Sequence, residues 1–330
     1  MIFIMLKCLR EYEKTEVKTV HNVVLVSVAL LPAVFLCFYI FKKDRAEKEP
    51  WWLLLMLLGS GILICFPVSA VSEWIRKIET DMFLPFTTEY EGGNYLDGWL
   101  FELYKAMDKF IAVAMVEEGF KWLVLLAFTK NNKHYNSLFD GIIYSVFISL
   151  GFAGFENLLY TFKFGMETAL IRMLTAVPIH LFCGVSMGYY LTWYYIKNNA
   201  KISERRLAEI GAVPKKMKHL PARRFFFMSV IMPSLAHGFY NYSYSINKAW
   251  STAVFCVFLA FLYGFCMGRI KRMSNGDMLN YKAVLLILYE KHTCVQNAVK
   301  SILEARRETG EDDHDICFDE IFETVKKSSV

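Results

Sequence analysis

The apolar residues of this chain fall into seven long blocks, and that arrangement restricts the fold more than any other feature of the sequence. The blocks are Asn22 to Phe41, Trp51 to Ile75, Phe110 to Phe128, Leu138 to Phe162, Ala169 to Ile196, Phe225 to Ile246 and Trp250 to Gly268. Each approaches or exceeds the ~20 residues that a helix needs to cross ~30 Å of hydrocarbon. With 55% hydrophobic and 16% aromatic residues, the chain is also too apolar for one soluble core of 330 residues. The expected fold is therefore all-α, a polytopic membrane helix bundle of about seven transmembrane helices in a lipid bilayer. The third helix can begin as early as Trp99 if Glu102, Lys105, Asp108 and Lys109 lie at the interface, their stems along the bilayer surface.

Lys and Arg gather in alternate loops, as cytoplasmic segments require. Lys42, Lys43, Arg45 and Lys48 follow the first block, Lys130 and Lys133 the third, a dense cluster from Lys197 to Arg224 the fifth, and Arg269, Lys271 and Arg272 the seventh. The intervening loops hold few cations: Arg76 and Lys77 against five acids, Lys163 with Arg172 just inside the fifth block, and Lys248. This pattern predicts an outside N-terminus and a cytoplasmic C-terminus in the cell membrane. Lys7, Arg10, Lys14 and Lys18 run against it, with three glutamates interspersed. Met1 to Leu6 is too short for the apolar core of a signal peptide, so no processing is expected. The formal charge of +5 follows from the cytoplasmic loops, which argues against a nucleic-acid partner. Eight scattered cysteines without a CxxC pair indicate neither a disulfide framework nor a structural zinc site.

Three regions are expected: an N-terminal segment (1–21), the transmembrane bundle (22–272) and a cytoplasmic C-terminal helical extension (273–330). Within the last, Met278 to Arg307 reads as a helix, followed by an acidic stretch with Glu311, Asp312, Asp313 and Asp315. The simplest expectation is a helix lying against the loops. A helical hairpin or a helix for an unknown partner is the alternative.

Ionisable groups at membrane depth cost roughly 2.5 to 3.5 kcal/mol each, so their presence in the blocks calls for a function. Glu117 and Lys121, four positions apart, share a helix face, and Glu118 lies within three positions of Lys121. One lysine neutralises one glutamate, and the second carboxylate needs hydrogen bonds, water or a proton. A carboxylate poised beside a water is what general-base chemistry requires. The fourth block carries Asp140-Gly141 and, later, Gly151-Phe152-Ala153 and Glu156-Asn157. The acid–amide pair needs partners from elsewhere in the bundle. Gly141, Ser145, Ser149 and Ala153 recur every four residues, a stripe for close helix packing. The fifth block places His180, Gly184 and Gly188 on one face, where the glycines would leave room beside the histidine. The sixth places His237 and Asn241 on another. Singly, each could be a satisfied core residue or an ion pair. Together they read as a site.

In order and spacing these groups resemble the PrsW-type intramembrane proteases, a branch of the superfamily that also contains the Rce-type CAAX prenyl endopeptidases and the Abi bacteriocin-immunity proteins. The resemblance rests on Glu117-Glu118 with Lys121, Asp140-Gly141, Gly151-Phe152-Ala153, Glu156-Asn157, His180 with Gly184, and His237 with Tyr240-Asn241, within residues 110–246. CAAX proteases carry an arginine after the paired glutamates, and Lys121 at shorter spacing favours the PrsW branch. The resemblance implies hydrolysis of a peptide bond in a membrane-anchored protein, such as an anti-sigma factor, by a glutamate-activated water without a favoured cofactor. Glu117, in preference to Glu118, would be the base, Glu156 and His180 would orient the water and relay the proton, and His237 and Asn241 would donate to the oxyanion. Lys121, Asp140, Asn157 and Gly184 would support them. His180 near mid-helix and Glu156 nearer the outer end put the cleft in the outer half of the bilayer.

Two histidines and several glutamates are also the ligands of a hydrolytic zinc site, which here would comprise Glu117, Glu118, His180 and His237. Against this, the chain has no HExxH, and the histidines come from different helices. A proton-coupled transporter would also bury Glu and His, but inverted repeats and broken helices are not evident in the sequence. An immunity-type membrane protein would keep the same fold without turnover.

Overall fold

The computed structural model describes residues 2–90, 93–96, 98–214, 222–246, 249–309 and 315–328, with the side chains of residues 2–21, 89–90, 93–95, 249–250 and 309 outside that description. Lys7, Arg10, Lys14 and Lys18, part of the basic 197–224 loop, and Glu311, Asp312 and Asp313 therefore lie outside the described side chains. Helix α1 (Ile2–Lys43) runs unbroken through the expected N-terminal segment. Helices α2 (Trp51–Leu63) and α3 (Cys65–Phe83) form one rod interrupted at Ile64. Pro67 explains the interruption, because it has no N–H for the Leu63 carbonyl one turn back. A two-stranded antiparallel hairpin, β1 (Thr88–Tyr90) with β2 (Gly93–Tyr95), is the one departure from an all-α chain among the described residues.

Next comes a continuous helical run made of α4 (Gly98–Met107), a π-helical segment (Asp108–Met115) and α5 (Val116–Thr129). It starts beside Trp99, as the sequence allowed. Helices α6 (Asp140–Phe164), α7 (Met166–Leu174), α8 (Ala176–Glu209), α9 (Ala222–Ser245) and α10 (Ala249–Asn275) complete the bundle. Gly165, with φ +84°, turns the chain sharply from α6 into α7, a conformation that L side chains resist.

Five stretches among the described residues are long and apolar enough to cross a membrane, rather than the expected seven: Asn22–Lys43, Trp51–Phe86, Asp140–Phe164, Met166–Glu209 and Ser251–Asn275. The two that fall short are the 98–129 run and α9. Glu102, Lys105, Asp108, Lys109, Glu117, Glu118 and Lys121 lower the hydropathy of the first, and Arg223, Arg224, Ser229, Ser234, His237 and Asn241 that of the second. The residues that make these helices chemically interesting also remove them from the apolar class.

Helix α6 is the axis of the bundle and packs on α1, α2 and α8. Its contact with α8 is made by the four-residue stripe. A Cβ on Gly188 would collide with the Gly141 carbonyl, and one on Gly184 would come within 3.0 Å of Ser149 Oγ and Val146 Cα. Ser145 Oγ donates to the Gly184 carbonyl at 2.7 Å. Gly184 and Gly188 therefore admit the α6 backbone instead of leaving space beside His180, a correction to the sequence reading. The π-helical segment meets α9 in the same way, with the Phe110 ring seated on Gly238.

The chain after α10 forms α11 (Asn280–Lys291), α12 (Thr293–Thr309) and α13 (Phe318–Ser328), so the single helix expected over 278–307 is divided at His292. Asp277 fastens this layer to the bundle by accepting hydrogen bonds from the amides of Arg45, Ala46 and Phe139. In the same region Glu49 is buried, and burial followed by the charge of Asp140 pushes its carboxyl up to about 9.

Overpacking a tight contact typically costs about 1–3 kcal/mol. Gly188→Ala should therefore lower the unfolding temperature of the detergent-solubilised protein. Gly264→Ala, where a Cβ meets nothing within 4 Å, should leave it unchanged.

Candidate functional site

The first turn of α5 holds Glu117 and Glu118, directly after the π-helical segment. Wide π turns recur at functional sites because they rotate the following side chains out of regular register. Glu117, Glu118 and Lys121 are all buried. Lys121 Nζ lies 2.8 Å from Glu118 Oε1 and 3.7 Å from Glu117 Oε2, so the three-residue spacing makes the close pair. The ammonium also sits 4.2 Å from the centre of the Phe152 ring on α6.

Helices α8 and α9 bring a histidine each. His180 Nδ1 is 2.9 Å from Lys121 Nζ, and its Nε2 is 3.1 Å from Glu156 Oε2 on α6. An ammonium only donates and a carboxylate paired with a cation only accepts, so this pattern puts the ring proton on Nε2 and a lone pair on Nδ1. His237 Nδ1 is 2.9 Å from Glu118 Oε1 and 3.9 Å from Glu117 Oε2. The two imidazoles meet edge to face with centroids 4.9 Å apart. Residues far apart in sequence thus form one continuous polar network inside an apolar bundle.

A cleft of about 720 Å³ reaches this network from the end of the bundle where α3 passes α7 and α9 ends. Glu117, Glu156, His180, His237 and Asn241 line it, while Glu118 and Lys121 lie behind them. Asn157 is turned away, donating to the Ala29 carbonyl at 2.9 Å and tying α6 to α1. Asp140 is at the opposite end of α6, where it accepts from the amides of Asn136 and Ser137 and caps the helix entry. Gly184 belongs to the α6–α8 contact. Of the predicted residues, Glu117, Glu118, Lys121, Glu156, His180, His237 and Asn241 converge, and Asp140, Asn157 and Gly184 shape the scaffold.

Sequence reasoning overlooked Arg172 on α7, counting it only as a loop charge. Its guanidinium is 2.7 Å from Glu156 Oε2. The signal was available: a buried acid in α6 with no cation within a turn of it on its own helix requires one from a neighbour. Tyr240 was noted only within the motif, and its hydroxyl donates to Thr175 Oγ1 at 3.0 Å, joining α9 to the start of α8.

Glu117, Glu118, His180 and His237 each present a ligand atom, and these atoms lie within 4.8 Å of one another. Glu117 Oε2 and Glu118 Oε2 are buried without a hydrogen-bond partner. Carboxylate oxygens without a hydrogen bond are costly at such depth, and a bound cation would satisfy them. Nitrogen and oxygen donors of this kind suit zinc. The donor set is more consistent with a metal-binding site than with a glutamate-activated water alone, which corrects the preference drawn from the sequence.

The sequence profile of PrsW family intramembrane metalloproteases matches residues 49–267. The chain belongs to the PrsW family. Among its relatives, the protease PrsW of Bacillus subtilis (strain 168) is 27% identical over 258 residues, covering 77% of this chain and 98% of its own. That of Halalkalibacterium halodurans is 31% identical over 257 residues, covering 78% and 98%. That of Clostridioides difficile (strain 630) is 26% identical over 252 residues, covering 75% and 90%. No solved structure matches the chain. Membership makes this a multi-pass membrane protein of a protease family. Helices α11–α13 lie beyond the matched residues.

Removing one member of a buried ion pair strands the other, at a typical cost of about 3–5 kcal/mol. Lys121→Met should therefore lower the unfolding temperature of the purified protein far more than Arg206→Met, which breaks an exposed pair with Asp319. Thermal unfolding in lipid nanodiscs measures both.

Proposed function

We propose that this chain is a metal-dependent intramembrane endopeptidase that cleaves a membrane-anchored protein. The observation that carries the reading is the meeting of two carboxylates and two imidazoles within 4.8 Å, with two buried carboxylate oxygens that accept no hydrogen bond, beside a cleft. Family membership supports the peptide-bond chemistry.

Catalytic zinc sites keep three protein ligands and an open position. Glu118, His180 and His237 are the holders in this reading. Glu117 is left as the base, because it alone of the glutamate pair lines the cleft. A divalent ion, when bound, supplies Lewis acidity and acidifies water. Glu117 takes the proton of the attacking water and returns it to the leaving amine. Glu156 receives the Nε2 proton of His180 and so keeps Nδ1 turned inward, as outer carboxylates do for metal-binding histidines. The Asn241 amide, on the cleft wall, donates to the developing oxyanion, a contribution typically worth about 2.7–4 kcal/mol. In this reading the Lys121 ammonium, 2.9 Å from His180 Nδ1 and 2.8 Å from Glu118 Oε1, yields those atoms to the ion and stays beside them as a counter-charge.

A second reading is favoured by one observation. Lys121 Nζ stands 2.8 Å from Glu118 and 2.9 Å from His180, where it already provides positive charge to the two groups. With that ammonium retained, Glu117 activates water without a metal.

The 98–129 run and α9 complete a seven-crossing topology in this proposal. At 24 residues, α9 spans about 36 Å, enough for the hydrocarbon layer. Glu117, Glu118, Lys121 and His237 find partners inside the bundle. The basic loops support a cytoplasmic C-terminus, which puts the cleft in the outer half of the membrane. An extracytoplasmic segment of a single-span protein is then the substrate class.

Membrane-protein neo-termini should be compared in cells expressing wild type, Glu117→Gln or Glu118→Gln at matched abundance, with and without a permeant chelator. New termini are expected only with wild type, with loss on chelation and return on zinc addition. Termini that need both glutamates but survive chelation select the metal-free reading. Identical termini in all strains, with folded protein present, overturn proteolysis.

A further inference from the structure

We propose that Arg172 is a positioning residue, which clamps the Glu156 carboxylate against His180 Nε2 and so fixes the orientation and tautomer of that imidazole. The catalytic consequence rests on the protease reading above, whereas the clamp itself does not.

Glu156 Oε2 lies 2.7 Å from Arg172 NH2 and 3.1 Å from His180 Nε2, so the same atom receives both donors. An ion pair formed only to join α7 to α6 would leave the carboxylate free to use either oxygen toward the ring. Here the guanidinium rotates the carboxylate so that its paired oxygen also meets His180. Such a carboxylate accepts and never donates, which forces the proton onto Nε2 and leaves the Nδ1 lone pair facing Lys121.

The guanidinium is itself held on two further sides. Arg172 Nε donates to Asn157 Oδ1 at 3.2 Å, and Asn157 in turn donates to the Ala29 carbonyl. The Tyr160 ring lies under the guanidinium, 4.0 Å from its centroid to Cζ. A planar fork that bridges an acid and an amide while stacking on an aromatic ring is a use that lysine cannot reproduce in full. Arg172 lies in α7, a nine-residue helix set between Gly165 and the start of α8, whose cleft-facing residues include Thr168, Ile171 and Arg172 itself. Helix α7 therefore reaches the reactive network through one side chain, along the path Arg172, Glu156, His180. It does so without contributing a group to the reaction.

The test uses the full chain, ¹⁵N-labelled at histidine and reconstituted with metal removed, with the His180 signals assigned by their loss in His180→Gln. Solid-state NMR should show a single tautomer in wild type, protonated at Nε2. Arg172→Met and Arg172→Gln should both show a mixture of tautomers, and Arg172→Lys should remain nearer wild type. Outer partners of ligating histidines typically contribute 10–100-fold to activity. The yield of Glu117-dependent neo-termini should therefore fall by about 10–100-fold in the Met and Gln variants, partly recover in the Lys variant, and fall no further when Glu156→Gln is added to Arg172→Met. Unchanged tautomer and yield in a folded Met or Gln variant would overturn the proposal. A tautomer shift in a protein that produces no Glu117-dependent termini would sustain the clamp and defeat the protease reading instead.

Discussion

Charge buried in an apolar bundle must be balanced, and the architecture around Glu117 and Glu118 follows from that requirement. A carboxylate removed from water is tolerated only with cations and hydrogen-bond donors in close geometry. Lys121 answers Glu118 from the same helix, His237 answers it from α9, and His180 links Lys121 to Glu156. Arg172 then closes the chain from α7. Four helices besides α5 are thereby obliged to meet α5 or its partners at one depth. The close approaches that make this meeting feasible are built from small residues: Gly141 and Gly188 between α6 and α8, and Gly238 beneath Phe110. Packing sets the distances, and charge balance sets which side chains occupy them.

The same balance leaves a remainder. Two carboxylate oxygens find no hydrogen-bond partner, although the network is otherwise well supplied with donors. In a structural ion-pair cluster such atoms would be a defect with no compensating benefit. At the inner end of a cleft, they are sites where a cation or a reacting water gains strong interactions. Family membership and the orphaned oxygens therefore point the same way from independent grounds.

Much of this was legible in the sequence, for physical reasons that differ by residue. Glu117, Glu118 and Lys121 stood out because helical periodicity fixes their mutual faces and apolar neighbours make their charge expensive. The Gly141 stripe was readable as packing because small residues at four-residue spacing have few other uses in a membrane helix. Partnerships across helices were not readable. Arg172 lies at the head of an apolar block, and nothing local reveals that it folds back 16 positions to Glu156. Gly184 and Gly188 were assigned to the wrong neighbour, since spacing gives the face of a helix but not what lies opposite. Hydropathy picks out five spans instead of seven for a related reason: a helix that carries its polar groups toward the bundle need not be apolar along its length. The balance between a metal and a bare glutamate also depended on distance, because His180 and His237 share no local motif.

The central claim is that Glu118, His180 and His237 hold a metal ion beside Glu117. X-ray absorption spectroscopy of the full chain, purified in nanodiscs and supplied with zinc, tests it most directly. The account predicts one tightly held ion per chain in an all nitrogen and oxygen shell, with outer scattering from two imidazoles that is lost in His180→Gln and His237→Gln. An active protein without stoichiometric metal, or an ion in a sulfur-containing shell, would contradict it.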